Sequence, residues 1–437
     1  MKTTIKKWGI NGEGIAYSRK KAVFVENAIP DETVDLTITE NKPTYAIGKV
    51  NEIIEPSPRR RKPMCPHWEK CGGCSMMHVD YKGQVRMKMQ VLKEALRKYA
   101  NYTGPIEPLM KNPNPLGYRS ACKLPFGKED GKIVTGMYEA GTNDFVPISR
   151  CTSHSKKLEK VRGEITELLN EDSLPVSSKA HPEGLMYLVL KEYDGLVYVI
   201  LVTSEMELPE ELADKILGLE DVAGLWQSVK TPDDPEYELF GSGMVHLGGR
   251  MAMELNLKDF KLSLLPRSFF QLNTAQSIAL YEAVASMIPE HSRLIVEAYS
   301  GAGAISLFVG DKADKVIGIE NVEDAVASAN ENALANGKDN VHFVCADAAA
   351  EMKEIASKNH IDTLIADPPR SGLSSQMRDA IIKAAPETFI YVSCNPSTLA
   401  KDIADLSRDY EIKKVQPVDM FSQTPHIETV VLLSRKY

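Results

Sequence analysis

The stretch EAYSGAGAISL (297–307) decides the fold of the C-terminal part of this 437-residue chain. It combines the end of an apolar strand, a turn containing Gly301 and Gly303, and the start of a helix. Glycines let the backbone turn tightly and approach a bound ligand closely. Glu320 ends the next apolar segment nineteen residues after Gly301, where a carboxylate can accept both ribose hydroxyls of a nucleoside. The stretch therefore predicts a nucleoside-binding turn in an α/β fold.

The form of the turn favours one class of nucleoside ligand. It lacks the full G-x-G-x-x-G pattern that cradles a pyrophosphate, so we expect S-adenosylmethionine, which has no phosphate, rather than a dinucleotide. Asp347 follows the third predicted strand and is placed to reach the adenine. It can equally cap the helix AAAEMKEI that comes next, and the two roles are compatible.

Strands and helices alternate around this turn through residues 266–437. Such a rhythm predicts a mostly parallel, Rossmann-like α/β sheet that binds its ligands at the C-terminal ends of the strands. The predicted strands are LIVEAYS (294–300), KVIGIEN (315–321), VHFVCAD (341–347), TLIADPP (363–369), FIYVSCN (389–395) and IKKVQPVDMF (412–421).

Two further domains are predicted upstream of the α/β sheet. Residues 1–58 contain alternating segments such as AVFVENAI (22–29) and TVDLTITE (33–40), separated by turn residues, which is typical of a small OB-like β-barrel. Residues 59–265 are predicted to form a central α+β domain. This range contains a helical pattern at 81–99 and a hairpin signal about Asp194-Gly195.

The composition restricts the cellular setting that we expect. Hydrophobic residues make up 43% and charged residues 26% of the chain, as in globular proteins, and no apolar run is long enough to span a membrane. The N-terminus lacks the apolar core of a secretory signal. We therefore expect a cytoplasmic protein that does not contact membranes, is a monomer by default, and has no obligate protein partner. In that compartment the seven cysteines fit metal ligands or a nucleophile better than disulfides.

The chain has a net charge of −8, which by itself argues against a nucleic-acid partner, but local clusters of basic residues can change that conclusion. A local patch can hold phosphates on an acidic protein. The run Arg59–Lys62 is such a candidate, and a solvated linker is the alternative interpretation.

Three short motifs follow the later strands and carry candidate chemistry. DPPR (367–370) resembles the D-P-P-[YFW] signature of amino-group methyltransferases, with arginine in place of the aromatic residue. SCN (393–395) places Cys394 at a strand end before a helix, which suits a nucleophile, although a free cysteine is usually a small buried residue. HIET (426–429) places Glu428 at the start of the last apolar run as a proton acceptor or an ordinary strand-start charge, and its histidine can be structural.

Together the motifs resemble one family. FFQLN (269–273), GAG (301–303), DPPR, SCN and HIET occur in the order found in the RNA (uracil-5-)-methyltransferase family. The resemblance covers nearly the whole chain. The N-terminal barrel resembles the TRAM domain found in the 23S rRNA branch of that family. One departure is Glu-Ala-Tyr-Ser-Gly after the first strand, where the family commonly has Asp-x-Phe-Cys-Gly.

The resemblance implies roles for individual residues. It assigns Cys394 as the nucleophile and Glu428 as the proton acceptor. The implied S-adenosylmethionine contacts are Gln271, Tyr299, Glu320, Asp347 and Asp367.

The spacing of four cysteines resembles the [4Fe–4S] site of the 23S rRNA branch. The ligands that this resemblance implies are Cys65, Cys71, Cys74 and Cys151. Four cysteines can also bind zinc, which is the stated alternative. Cys122 lies outside the pattern and is not counted as a ligand.

The expected function is transfer of a methyl group from S-adenosylmethionine to carbon 5 of a uridine in 23S rRNA, through a covalent cysteine adduct. Three alternatives remain open at this stage: the same reaction on transfer RNA, methylation of an amino group on an RNA base, and an RNA-binding or assembly factor that has lost catalysis.

Overall fold

The computed structural model describes residues 1–436. Its N-terminal part is one six-stranded sheet in the order β1-β5-β6-β4-β3-β2. Because side chains alternate between the two faces of a strand, Val23, Val34 and Leu36 point to the same side and form a small apolar core. The strands are β1 (Lys2–Thr4), β2 (Lys7–Trp8), β3 (Gly14–Ser18), β4 (Lys21–Val25), β5 (Thr33–Asn41) and β6 (Tyr45–Glu55).

A long helix, α1 (Tyr81–Ala100), connects this sheet to the rest of the molecule. It begins at Asp80, whose carboxylate accepts the Gly83 N–H at 2.6 Å, as an N-cap should. Met87 and Val91 pack with residues of the N-terminal sheet, whereas its neighbouring apolar residues join the core of the C-terminal domain. The helix in the predicted central range therefore packs between the two outer domains.

The central sheet is mixed, in the order β13-β12-β11-β10-β7-β8-β9. Adjacent residues of its strands face opposite sides: Leu188 and Leu190 pack beneath helices α2 and α3, whereas Val189 joins the core shared with the C-terminal domain. Because both faces are buried, β10 and β11 are almost continuously apolar. The elements are β7 (Ala121–Glu129), β8 (Lys132–Tyr138), β9 (Phe145–Pro147), α2 (Lys156–Glu171), β10 (Gly184–Tyr193), β11 (Leu196–Ser204), α3 (Glu210–Leu217), β12 (Val222–Lys230) and β13 (Gly243–Gly249).

A separate hairpin, β14 (Met253–Leu257) and β15 (Phe260–Leu264), follows the central sheet. Its buried residues Met253, Leu255 and Leu262 belong to the core that the central sheet shares with the C-terminal domain. The hairpin therefore packs against both domains. It ends just before residue 266, the predicted start of the C-terminal domain.

The C-terminal sheet has the order β18-β17-β16-β19-β20-β22-β21. Its first five strands are parallel to one another, and β22 is antiparallel to both strands beside it. The predicted mostly parallel α/β sheet is confirmed. The elements are α4 (Thr274–Met287), β16 (Ser292–Ala298), α5 (Ala304–Val309), β17 (Ala313–Glu320), α6 (Glu323–Ala335), β18 (Val341–Cys345), α7 (Ala348–Lys358), β19 (Thr363–Ala366), α8 (Ser375–Ala384), β20 (Thr388–Ser393), α9 (Pro396–Leu406), β21 (Tyr410–Val418) and β22 (Glu428–Arg435).

None of the helices in residues 1–436 is both long enough and apolar enough to cross a membrane.

Candidate active site

The candidate residues of the C-terminal domain converge on one edge of its sheet. Tyr299 follows β16, Glu320 ends β17, Asp347 follows β18, Asp367 follows β19 and Cys394 follows β20. Glu428 begins the antiparallel strand β22, so it lies at the same edge. Open α/β sheets bind their ligands at this edge. We call it the catalytic edge.

The register of two strands brings the predicted nucleophile and base together. Strand β20 pairs with β22 so that Val392 lies opposite Val430 and Ser393 opposite Thr429. Cys394 and Glu428 are the residues next to this last pair, one on each chain segment. The Glu428 carboxyl lies close enough to Cys394 to act on the pKa of its thiol. The end of the β20–β22 ladder therefore brings the two predicted side chains near each other at one edge of the sheet.

Cys394 is a half-buried thiol at the start of a helix. The next residue, Asn395, caps α9 by accepting the Ser397 N–H at 3.0 Å. Burial raises the pKa of the Cys394 thiol to about 11, and the nearby Glu428 and Asp367 carboxyls add to this, whereas Arg370 opposes it. Arg370 is thus the neighbouring cation that favours the thiolate, and the sequence drew attention to it only as a departure from the D-P-P-aromatic signature.

Two carboxyls at the catalytic edge hold their protons unusually tightly. Burial raises the pKa of Glu428 to about 8; Asp367 raises it further, while Arg370 and Lys88 lower it. Burial also raises the pKa of Asp367 to about 7. A base is most effective when its pKa lies near the working pH. The Glu428 carboxyl is therefore suited to proton transfer in a way that an exposed strand-start carboxylate is not.

The loop before Glu428 is held by buried polar side chains from helix α1. Lys88, only 1% exposed, donates to Asp419 at 2.5 Å and to the Phe421 carbonyl at 2.9 Å. Tyr81 donates to the same aspartate at 2.7 Å. Gln84 donates to the side-chain oxygen of Gln423 at 2.9 Å. This network positions the base-bearing strand from outside the C-terminal domain.

Sequence reasoning missed this network, because Lys88 and Asp419 are 331 residues apart. The available signal was a lysine on the apolar face of α1, beside Met87, Val91 and Leu92. A charged residue on such a face requires a buried partner. His426 lies in the same loop, and burial, together with Arg370 and other cations, lowers its pKa to about 4, so its ring is neutral at neutral pH.

The glycine turn after β16 has the backbone that its sequence predicted. Tyr299, Gly301 and Gly303 all have positive φ, at 65°, 53° and 83°. A Cβ on Gly303 would come within 2.5 Å of the Phe343 ring, whereas one on Gly301 would meet nothing within 4 Å. Gly303 is therefore required by packing, because a side chain there would clash with Phe343. Gly301 is favoured by its positive φ alone, since the space beside it is open. These features fit a turn that a nucleoside ligand approaches closely.

The acidic residues beside the turn organise the backbone around it. Glu320 accepts the Gly301 N–H at 2.9 Å and the N–H groups of Asn321 and Val322 at 2.8 and 3.1 Å. Asp347 caps α7 through the Ala350 N–H at 2.9 Å, as the helix-cap interpretation predicted. Ribose and adenine contacts by these two carboxylates stay predictions.

Gln271 lies in the segment that joins the hairpin to α4. Buried Lys191 of the central sheet donates to the carbonyls of Pro266 and Ser268, both at 2.8 Å. Asn273 caps α4 and donates to the Met420 carbonyl at 3.2 Å. The half-buried Gln271 is therefore carried by a segment fixed at both ends, beside the loop that leads to Glu428.

The four predicted cluster cysteines line one cavity of about 380 Å³, together with the half-buried Arg119, whose Nε is buried. The Nε of Arg119 has no hydrogen-bond partner within residues 1–436. We call this space the cysteine cavity; its thiols are Cys65, Cys71, Cys74 and Cys151. Cys122 has a fully buried side chain in the core beneath α2 and α3.

The thiols of the cavity differ in their surroundings. Burial raises the pKa of Cys71 and that of Cys74 to about 11. Burial is also the largest single influence on Cys151 and acts in the same direction, but the hydrogen bond and charge of His154 together with nearby backbone N–H groups outweigh it and lower the pKa of that thiol. In the part of the chain that the structure describes, no three His, Cys, Asp or Glu side chains are arranged to hold a metal ion. The predicted iron–sulfur site is therefore not shown, although a set of four thiols beside a buried guanidinium fits the donors and charge of such a cluster.

Comparisons with known proteins agree with the fold and with the family that the motifs resemble. Residues 250–436 match the family model described as tRNA (uracil-5-)-methyltransferase, and residues 3–50 match the TRAM domain. An uncharacterized RNA methyltransferase of Bacillus cereus is 33% identical over 99% of this chain and 96% of its own length. One of Clostridium tetani is 34% identical over 98% of this chain and 94% of its own.

One solved structure is similar to this chain over nearly its whole length. The Pyrococcus abyssi tRNA (uracil-54, C5)-methyltransferase, in complex with S-adenosyl-L-homocysteine, superimposes with a TM-score of 0.80, at 26% identity, over 99% of both chains. Fold, site and relatives define an S-adenosylmethionine-dependent RNA methyltransferase with an N-terminal TRAM domain. The chain belongs to the RNA (uracil-5-)-methyltransferase family.

Proposed function

We propose that this enzyme transfers the methyl group of S-adenosylmethionine to carbon 5 of a uridine in 23S rRNA, through a covalent adduct with Cys394. The observation that carries the proposal is that the β20–β22 ladder ends at the Ser393–Thr429 pair, next to Cys394 and Glu428, so that these two side chains lie near each other. A uracil at this edge then lies between a nucleophile and a proton acceptor. The family supplies the reaction class; the covalent route and the ribosomal substrate are our inference.

The chemistry requires both side chains. Carbon 5 of uracil is a poor nucleophile, and addition of the Cys394 thiolate to carbon 6 converts the ring to an enolate, which splits one difficult step into two easier ones. Carbon 5 of this enolate then attacks the electrophilic methyl group on the sulfonium of S-adenosylmethionine; the carbon–carbon bond forms as the sulfur–methyl bond breaks, and S-adenosylhomocysteine leaves. Glu428 then removes the hydrogen from carbon 5, the C5–C6 double bond re-forms, and the sulfur–carbon bond breaks to regenerate the thiolate.

Arg370 and the two buried carboxyls set the protonation states for these steps. The thiol has a raised pKa, so the guanidinium of Arg370 is the group of this chain that favours the nucleophilic form. Glu428 must lose its own proton before it can accept one, and its pKa of about 8 makes that accessible near neutral pH. We propose Gln271, Tyr299, Glu320, Asp347 and Asp367 as the cofactor contacts, because the last four end or follow successive strands at the catalytic edge and Gln271 lies beside the loop that leads to Glu428.

For the cysteine cavity we propose a [4Fe–4S] cluster held by Cys65, Cys71, Cys74 and Cys151. Support comes from the shared cavity and from the buried guanidinium of Arg119, which would balance the negative charge of a cluster with four thiolate ligands. The proposed methyl transfer needs no electron donor or acceptor, so we assign these residues a structural role or one in RNA positioning. Zinc is the alternative metal.

A second substrate has a specific observation in its favour. The superimposed Pyrococcus abyssi enzyme is named for uracil-54 of tRNA, so transfer RNA is the competing substrate for the same chemistry. Methylation of an exocyclic amine is disfavoured, because the DPPR motif has Arg370 where the aromatic residue of amino-group methyltransferases stands.

Mass spectrometry of nucleosides tests the reaction and the substrate together. Unmodified ribosomal and transfer RNA are incubated separately with the enzyme and S-adenosylmethionine, with Cys394→Ala as the control. New 5-methyluridine in 23S rRNA, absent with the variant, is the expected result. 5-Methyluridine in transfer RNA alone would refute the ribosomal substrate and retain the chemistry. A methylated exocyclic amine would refute the reaction itself.

A further inference from the structure

Helix α1 carries a line of exposed positive charges on the face opposite its buried side. Its members are Lys82, Arg86, Lys93 and Arg97, all exposed. With 3.6 residues per turn they fall within about 60° of one another around the axis, and at 1.5 Å per residue they extend over about 22 Å. We call these four residues the α1 basic stripe.

The stripe keeps its charge. Glu94 is the only acidic residue of α1. Its carboxylate forms a salt bridge with Lys7 at 3.2 Å and accepts a hydrogen bond from Gln90 at 2.9 Å. Across residues 1–436, the salt bridges of this helix involve Glu94 and the buried Lys88 and no member of the stripe. Four unpaired cations therefore stand together on a chain whose net charge is −8.

Helix stability does not explain this arrangement. Lys82 lies in the first turn, where the helix dipole disfavours a cation, and only Arg97 has the favourable C-terminal position. Lys82 with Arg86, and Lys93 with Arg97, are like charges at i,i+4 spacing, which destabilise a helix. The stripe therefore opposes the stability of the helix that carries it, unless a polyanion occupies it.

The basic run that the sequence suggested behaves differently. Arg60 forms a salt bridge with the fully buried Glu32, and Arg59 and Arg61 both pair with Asp80, at 3.2 and 3.3 Å. Three of the four cations of Arg59–Lys62 are thus engaged in holding the N-terminal sheet and the start of α1. The available positive surface lies on the helix itself.

The stripe starts at the catalytic edge. The first turn of α1 is anchored there by Tyr81, which donates to Asp419 in the loop before Glu428. Further along, the helix packs on α9, the helix that begins just after Cys394. A polyanion bound along the stripe would therefore extend away from the two reacting side chains.

We propose that the α1 basic stripe binds the phosphate backbone of the RNA substrate outside the nucleotide that is methylated. The inference rests on the proposed function, in that the partner is RNA. Lysine and arginine contacts to phosphates release counterions and make affinity salt-dependent without reading sequence. A rigid helix fastened to the catalytic edge would orient the RNA relative to Cys394.

The test compares two quadruple variants that remove the same charge from exposed positions. The stripe variant is Lys82→Gln, Arg86→Gln, Lys93→Gln and Arg97→Gln. The control variant changes cations at the opposite edge of the C-terminal sheet or at helix ends near it: Arg293→Gln, Lys315→Gln, Lys358→Gln and Lys383→Gln. The probe is a fluorescein-labelled RNA hairpin with a uridine-rich loop, and its dissociation constant is measured between about 50 and 200 mM KCl.

The stripe variant is expected to bind the hairpin at least tenfold more weakly, and its slope of log K against log[salt] should be shallower by about 3, since each phosphate contact contributes about 0.7–0.9. The control variant should keep the wild-type slope. Equal slopes for the stripe variant and the wild type, or equal losses in both variants, would overturn the proposal. Hairpin binding is scored without turnover, so a wild-type enzyme that binds in this way but makes no 5-methyluridine would refute only the proposed function.

Discussion

The catalytic edge and the cysteine cavity both depend on thiols but hold them by different means. Cys394 directly follows the central strand β20, and Glu428 begins β22, whose hydrogen-bonded ladder with β20 ends at the neighbouring Ser393–Thr429 pair. Cys65, Cys71 and Cys74 lie in the segment between β6 and α1, which forms neither a helix nor a regular strand. The sheet can fix one thiol without help. Thiols on an irregular segment need a further bond, which a metal cluster would provide.

The largest expected effect separates Cys394 from the other thiol at the same edge. Cys394→Ala removes the proposed nucleophile and should lower the methylation rate by about 10⁴-fold or more. Cys345, which is exposed at the end of β18, is the matched control, and Cys345→Ala should retain the wild-type rate. Single-turnover methylation of RNA with labelled S-adenosylmethionine measures both. Substantial activity in Cys394→Ala would show that the reaction does not proceed through a covalent adduct with Cys394.

The cysteine cavity should respond to substitution in its metal content. Cys74→Ala should lose the iron–sulfur absorption of anaerobically purified protein, while binding of S-adenosylmethionine, measured by calorimetry, stays within about twofold, since the cofactor contacts belong to the other region. Cys122→Ala should keep the absorption because that thiol packs in an apolar core. Stoichiometric zinc and a colourless wild-type protein would show that the iron assignment is wrong.

Lys88 tests how the catalytic edge is supported from α1. Lys88→Met leaves Asp419 buried without its cation, which should lower the free energy of unfolding by about 3–5 kcal/mol. Lys93→Met, an exposed position on the same helix, should change it by about 0.5 kcal/mol or less. Urea denaturation measures both. Similar small effects would mean that the buried pair does not hold the loop before Glu428.

A smaller effect is expected from the pH dependence of stability. The Glu428 pKa is raised from 4.5 to about 8 on folding, so the folded protein binds the proton more tightly than the unfolded chain. Stability contributed by this group is present below pH 4.5 and is lost as the pH rises to about 8, at no more than roughly 1.4 kcal/mol per pH unit. Glu428→Gln lacks this loss, so the variant should gain stability relative to the wild type across that window. A constant difference in melting temperature would contradict the raised pKa.

The sequence predicted the C-terminal sheet and its catalytic edge well, because strand order and ligand edge follow from local alternation of apolar segments. Strand β18, predicted as 341–347, is observed as Val341–Cys345. Motifs after successive parallel strands must meet at one edge, so Tyr299, Asp367 and Cys394 could be grouped without coordinates.

Long-range polar pairs were beyond the reach of the sequence. The Lys88–Asp419 pair joins residues on different domains, and the arginines at 59–61 gave no sign that Glu32 and Asp80 would neutralise them. Local patterns reveal exposure and periodicity, whereas the partner of a charge depends on how the domains pack. The same reason explains why the α1 basic stripe emerged only with the structure.

The central claim is that Cys394 and Glu428 act as a pair, and trapping the adduct tests it most directly. Glu428→Gln is incubated with labelled S-adenosylmethionine and the RNA fraction that the wild type methylates, then resolved on a denaturing gel. The account predicts a labelled protein–RNA species that persists, because the hydrogen on carbon 5 cannot be removed, and that disappears when Cys394→Ala is added to the variant. Normal turnover by Glu428→Gln with no trapped species would contradict the assignment of the base.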